Sequence, residues 1–164
     1  MVEIRTQRLL LRRAEMDDLD AIHGLLSNPQ AMRYWSTPPH TGLAQTEEWL
    51  RSMVEADLST SDDFIVEREG RVVGKTGCWR LPEIGFLLDP ALWGQGYASE
   101  ALAAYLQRRR EVGSPEAIRA DVDPRNVASR RLLERHGFVE THRKERTWNV
   151  GGEWCDSIYY ELRL

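Results

Sequence analysis

A chain of 164 residues can bury a sizeable core without disulfide or metal staples, and its two cysteines, Cys78 and Cys155, lie far apart with no Cys-x-x-Cys or paired-His spacing. A formal net charge of −4 argues against a nucleic-acid-binding surface as the main function, and no run approaches the roughly 20 apolar residues of a membrane span. Met1 to Arg5 is charged and lacks the apolar core of a signal peptide, so a cytoplasmic protein with reduced thiols is expected.

Residues Arg8 to Arg13 read as a first strand, with Leu9 and Leu11 on one face and charged neighbours that place it at a sheet edge. Asp17 and Asp18 favour the positive end of a helix whose stripe is Leu19, Ile22, Leu25 and Leu26, stopped by Asn28-Pro29. His23 within it has no partner at useful spacing and reads as structural. From Gln30 to Thr41 the period is lost, and Tyr34, Trp35, Pro38, Pro39 and His40 gather in a loop that either lines a site or is packed down by its rings. A second helix follows from Leu43 to about Asp57, with Trp49, Leu50, Met53 and Val54 as its stripe.

Phe64 to Glu67 and Val72 to Trp79 form a hairpin about Glu69-Gly70, and Ile84 to Leu88 add a third antiparallel strand. That strand meets Asp89-Pro90 and the turn Trp93-Gly94-Gln95-Gly96-Tyr97-Ala98. A helix then starts at once, its stripe Ala98, Ala101, Leu102, Tyr105 and Leu106. Strand, glycine turn and helix make an anion-binding design. The glycines let backbone approach a ligand, and the first helical amides lack intrahelical partners. Arg108-Arg109-Arg110 reads as a solvated helix end that complements the dipole. Ile118, Ala120 and Val122 alternate with Arg119 and Asp121 in the next strand, and Asp123-Pro124-Arg125-Asn126 opens a helix through Arg135 that Gly137 stops. A hairpin about Gly151-Gly152 joins Phe138–Val150 to Trp154–Leu164, with Trp154, Ile158, Tyr160, Leu162 and Leu164 on one face. With no repeat and no linker, one α/β domain over residues 1–164 is expected.

Gly94-x-Gly96 alone is weak evidence. A dinucleotide fingerprint would carry a third glycine where Ser99 stands and would come early in the chain, and the Gly-Lys of a Walker loop is missing. In context, though, the sequence resembles the GNAT acetyltransferase superfamily at three separated places. Its acetyl-CoA signature, Gln/Arg-x-x-Gly-x-Gly/Ala, is matched by Trp93 to Ala98 except at Trp93. A Trp there, with Glu100 two residues past the turn, is similar to the RimJ/RimL-like branch that acetylates N-termini of ribosomal proteins. Asn126, Ser129, the Leu132-Leu133 pair and Gly137-Phe138 resemble the same branch, as do Arg5 to Arg12 with Asp17-Asp18.

The resemblance implies a mixed, mostly antiparallel sheet of about seven strands with about four helices on its faces, the family's fourth and fifth strands splaying apart. It implies acetyl-CoA as co-substrate. Amides from Gly94 through Gln95, Gly96, Tyr97 and Ala98 to Ser99 would hold the pyrophosphate, beside Trp93. The backbone of Phe86, Leu87 and Leu88 would pair with the pantetheine arm. Asn126 would order the helix start and contact the cofactor. The tyrosine acid of many relatives is replaced by Leu133, which leaves Ser129 to protonate the thiolate, while Glu83 would take the amine proton. Tyr34, Trp35, Glu83 and Trp148 would line the acceptor site. The expected activity is direct transfer to a protein N-terminus or a small amine such as an amino acid or antibiotic. The alternative is a silent acyl-CoA-binding module. No metal, nucleic acid or membrane is involved, and a monomer or homodimer is expected.

Overall fold

Two chain reversals are set by local chemistry: Glu69-Gly70 and Gly151-Gly152 each hold two successive residues at positive φ, the geometry that matches strand twist in a two-residue hairpin. In the computed structural model, which describes residues 2–164, both hairpins belong to one open sheet of eight strands. The strands are β1 (Ile4–Arg5), β2 (Leu10–Arg12), β3 (Asp62–Arg68), β4 (Arg71–Arg80), β5 (Glu83–Leu88), β6 (Ala117–Val122), β7 (Val139–Val150) and β8 (Glu153–Arg163). They lie in the order β1-β2-β3-β4-β5-β6-β8-β7. Neighbours are antiparallel except β5 and β6, which run parallel and share a single residue pair, Glu83 with Arg119.

Four helices, α1 (Leu19–Leu26), α2 (Leu43–Val54), α3 (Tyr97–Val112) and α4 (Val127–Arg135), cover the sheet. Leu102, Tyr105 and Leu106 of α3 and Leu133 of α4 pack with Phe64, Ile118, Ile158 and Tyr160 on one face. On the other, Ile22 and Leu26 of α1 and Leu50 of α2 pack with Ile65 and Leu87. This is the mixed α/β sheet with splayed central strands that the sequence resembles.

Details differ from expectation for local reasons. Ile4–Arg5 adds an eighth strand because Thr6 closes a tight turn, its amide donating to Leu9 O at 2.9 Å and its hydroxyl accepting from Leu9 N at 2.9 Å. Leu10–Arg12 is therefore flanked by β1 and β3 and is no edge. Asp18 sits at the start of the first helix as expected, its Oδ2 accepting from Glu15 N at 2.8 Å, and Arg12 also binds both of its oxygens, at 2.7 and 3.0 Å. α2 ends at Val54, short of Asp57, and its buried residues are Thr46 and Leu50. Because it leans chiefly on α1, its stripe is narrow; Trp49 and Met53 are half-buried and Val54 is exposed. Trp154 shares the strand parity of Ile158 but is exposed near the hairpin tip, with Arg146 over its ring.

The arginine run is the largest departure. Arg109 is 4% exposed and donates to Asp62 Oδ2 at 2.8 Å, while Arg13 and Arg108 reach Asp62 Oδ1 at 2.8 and 3.3 Å. The last turn of α3 thus ends on the first residue of β3 rather than in solvent. Burial works against ionising Asp62, but hydrogen bonds from Arg109, Arg108 and Arg13 outweigh it and hold the carboxyl below its usual value.

His23, read as structural, is hydrogen-bonded inside the helix pair. Thr46 Oγ1 lies 2.7 Å from His23 Nδ1 and 2.8 Å from His40 Nδ1, so one hydroxyl joins α1, α2 and the end of the aromatic loop. A hydroxyl can donate to one ring and accept from the other only while at least one imidazole is neutral. Burial, and then the charge of His23, lower the His40 pKa.

Asp62→Ala leaves Arg109 buried without its partner and is expected to lower the unfolding free energy by about 3–5 kcal/mol, read from the urea midpoint. His40 is depressed below the unfolded histidine value of about 6.5, so acid gives the unfolded chain a proton that the folded one resists. Stability should fall as pH drops through the unfolded value of about 6.5, and His40→Gln should flatten that slope in the same assay.

Candidate functional site

The site is built around the parting of β5 from β6. Pro82 O accepts from Arg119 N at 2.9 Å on the β6 side, and Asp89 N donates to Val73 O at 2.8 Å on the β4 side. Neighbouring residues of a strand turn their backbone groups to opposite sides, so Ile84, Phe86 and Leu88 face the gap. Of the three expected pairing residues, Leu87 instead turns its backbone to β4 and its side chain into the core under α1 and α2. On the α3 side, Thr76 and Phe86 line a cavity of about 20 Å³ with Ala98 and Ala101. The buried Thr76 Oγ1 has no hydrogen-bond partner among the described residues.

At the C-terminal end of β5 the chain enters the glycine turn. Gly94 and Gly96 have φ of +73° and +84°, a region in which an L side chain is strained, and no atom crowds the space at Gly94. Gly96 caps α3, so the amides of Tyr97, Ala98 and Ser99 begin the helix without intrahelical partners. The Trp93 indole N–H donates to Leu88 O at 3.0 Å and closes the turn onto the strand. Gln95 is turned back onto Ala91 O at 3.2 Å, and the Ser99 hydroxyl is 2.8 Å from His136 Nε2 beyond α4.

Glu100, which the sequence places two residues past the turn, and Arg8, which it did not single out for the site, steady this turn. Glu100 accepts from Thr6 Oγ1 at 2.6 Å, Arg8 N at 2.9 Å and Arg8 Nε at 2.6 Å. Burial would raise its pKa, but the bonds from Thr6 and Arg8 outweigh that and keep the carboxylate charged. Arg8 in turn donates to Gln95 O at 3.0 Å and lies over the Tyr97 ring, which brings positive charge beside the two glycines.

Across the gap, Asn126 Oδ1 accepts from Ser129 N at 3.2 Å and caps α4. The half-buried Ser129 hydroxyl makes no hydrogen bond among the described residues. Leu133 is fully buried in the core. Two contacts bring the aromatic loop against the final hairpin. Arg125, held by Asp123 and Glu153 at 2.8 Å each, lies over the Tyr34 ring, and a Cβ on Gly151 would meet Pro38 at 3.4 Å. The aromatic loop thus touches the final hairpin. Trp148 donates to Asp121 at 2.9 Å, and Trp35 reaches Gly85 on β5, the same sheet face as Glu83.

The sequence matches the Acetyltransferase (GNAT) domain over residues 8–139. The chain belongs to the GNAT acetyltransferase family. It is 28% identical to an uncharacterized N-acetyltransferase, p20, of Bacillus licheniformis, over 84% of this chain and 83% of that protein. A solved GNAT acetyltransferase from Bacillus anthracis superposes with a TM-score of 0.84 at 27% identity, covering 99% of this chain and 98% of that one. RimL, a ribosomal L7/L12 alpha-N-protein acetyltransferase solved with coenzyme A, shares the fold with a TM-score of 0.86 at 19% identity, covering 99% and 98%.

In this GNAT domain, Phe86, Leu88, the turn and the start of α3 form one continuous edge, with Glu83 at its other end. Trp79, which the sequence reading left in an ordinary strand, stands on the face of Gly77 and Lys75 and reaches Gly85. Its signal was the odd-numbered row Lys75-Gly77-Trp79, too polar and too small for a covered sheet face. Asp63, buried against Lys75 at 2.6 Å, belongs to that face as well. Burial pushes its pKa up against the pull of Lys75.

Proposed function

We propose that the chain moves the acetyl group of acetyl-CoA to a primary amine by direct attack in one ternary complex. The observation that carries this reading is the unpaired edge of Phe86 and Leu88, which leads from an anion-binding turn at one end to a carboxylate at the other. Backbone amides at Gly94 to Ser99 suit a pyrophosphate, and the edge suits the amides of a pantetheine arm, added as if it were a strand. Leu88 O serves Trp93 and keeps a second lone pair for that arm.

The reaction needs a proton acceptor for the amine, a donor to the thioester oxygen and a proton for the departing sulfur. The amine nitrogen bonds to the acyl carbon and the C–S bond breaks. The amine proton passes to Glu83, directly or through water. A backbone amide beside Leu88 donates to the acyl oxygen, and the Ser129 hydroxyl protonates the thiolate, to be restored from solvent. An acetyl-enzyme on Cys78 is disfavoured, because burial first, with Asp63 adding, pushes its thiol up to about 12, beyond what Tyr105 offsets. The likeness to RimL, together with the Trp93 turn and Glu100, supports a protein N-terminus as acceptor ahead of a small amine.

Thiol release from acetyl-CoA across an amine panel tests the reading. Glu83→Gln and Ser129→Ala should each lower kcat by about a hundredfold or more and alter its pH profile, and Cys78→Ala with Cys155→Ala should leave turnover in place. Gly96→Ala forces a Cβ into the left-handed region, at about 1–2 kcal/mol, and should weaken acetyl-CoA binding about tenfold by calorimetry. Unchanged affinity would remove the turn from the cofactor site.

A further inference from the structure

Gly77 and Gly85 stand opposite each other in β4 and β5, on the face where Lys75 is paired between Ile65 and Leu87. A Cβ on Gly85 would lie 3.7 Å from Lys75 Nζ and 3.9 Å from both Trp35 and Trp79. These are ordinary contacts, and φ at Gly85 is not left-handed, so neither packing nor backbone demands glycine there. The missing side chain leaves a half-exposed slot bordered by the Trp35 and Trp79 indoles and the Lys75 ammonium. Trp79 is 54% exposed, so the slot opens outward.

Lys75 is 3% exposed, and its charge partner is Asp63 at 2.6 Å. An ammonium has three protons and Asp63 is its one charge partner, so an acceptor that reaches Nζ over Gly85 can take a further proton. The pair is already balanced in charge, and this selects the arriving group. An anion would leave a net buried charge, and a second cation would face the ammonium. A neutral carbonyl oxygen accepts a proton without either penalty. Lys75 lies on the side of β5 away from the gap, and Glu83 shares its face two residues from Gly85. A group seated over Gly85 therefore reaches from Lys75 toward the gap across roughly one strand spacing of 4.8 Å.

We propose that this slot is a specificity subsite that reads, through Lys75, the neutral carbonyl oxygen next to the acceptor amine, with Trp35 and Trp79 holding the flat unit that bears it. The proposal rests on the acetyl-transfer reading of the same cleft and adds the residues that select its acceptor. That class is an α-amino amide, as at a peptide N-terminus, in preference to a free amino acid or a polyamine.

The test uses alanyl-alanine amide, alanine and spermidine as acceptors, with thiol release from acetyl-CoA as readout. The wild-type protein is compared with Gly85→Ala and with the double variant Lys75→Met, Asp63→Asn, which leaves no charge buried alone. The dipeptide amide should be the preferred acceptor. Its KM should rise about ten- to hundredfold in both variants while the Kd for acetyl-CoA stays unchanged. Preference for alanine or spermidine, or an unchanged KM in Gly85→Ala, overturns the subsite and leaves acetyl transfer standing. Binding is read separately from the quenching of tryptophan fluorescence by the dipeptide amide. Quenching that Gly85→Ala abolishes, with no thiol released to any acceptor, would keep the subsite and overturn transfer. Neither quenching nor release overturns both.

Discussion

A parallel strand pair that separates after one residue leaves a row of backbone donors and acceptors unmatched in the middle of a sheet. Such groups are costly when buried alone, so the gap persists only because both of its sides are held from elsewhere. β5 is secured along its length by β4, and β6 is paired over Ala117 to Val122 with β8. The helix that follows β5 starts at the rim of the gap and crosses the sheet, and the capped helix that follows β6 starts on the other side. Function at this edge is a vacancy that the ladder would otherwise fill.

Charge is used to pin the loops and helix ends that define the vacancy. Asp62 gathers Arg13, Arg108 and Arg109, so the far end of α3 is fixed to the start of β3. Arg8 and Glu100 fix its near end to the first hairpin, and Arg125 joins the loop before α4 to the last one. An exposed ion pair such as Arg125 with Glu153 is worth little, but Asp62 and Arg109 are buried, and either would be left uncompensated if its partner moved. The arrangement therefore sets geometry more than it adds stability.

Elements with a strong period were legible. The alternation of Ile118, Ala120 and Val122, the stripe of α3 and the two-residue turns follow from local rules. The glycine turn at the head of α3 was legible because φ above zero and unpaired helical amides are local properties. What stayed hidden depends on contacts across the chain. Nothing near Arg109 in sequence announces Asp62, 47 positions away, so a buried cation was read as a solvated one. Trp79 and Lys75 looked like the ordinary outward residues of a hairpin until Trp35 arrived from a distant loop. β1 is too short to carry a period at all.

The hydrogen bond from the Trp93 indole to Leu88 also bears on how the protein behaves in a crowded solution. An open strand edge is a template on which a strand of another molecule can dock and seed aggregation. Here the carbonyl at the end of the edge is already engaged, and the tip of the final hairpin lies against Pro38 of the aromatic loop. The indole that closes the turn thus also occupies one acceptor at the end of the edge and leaves one fewer site for a foreign strand.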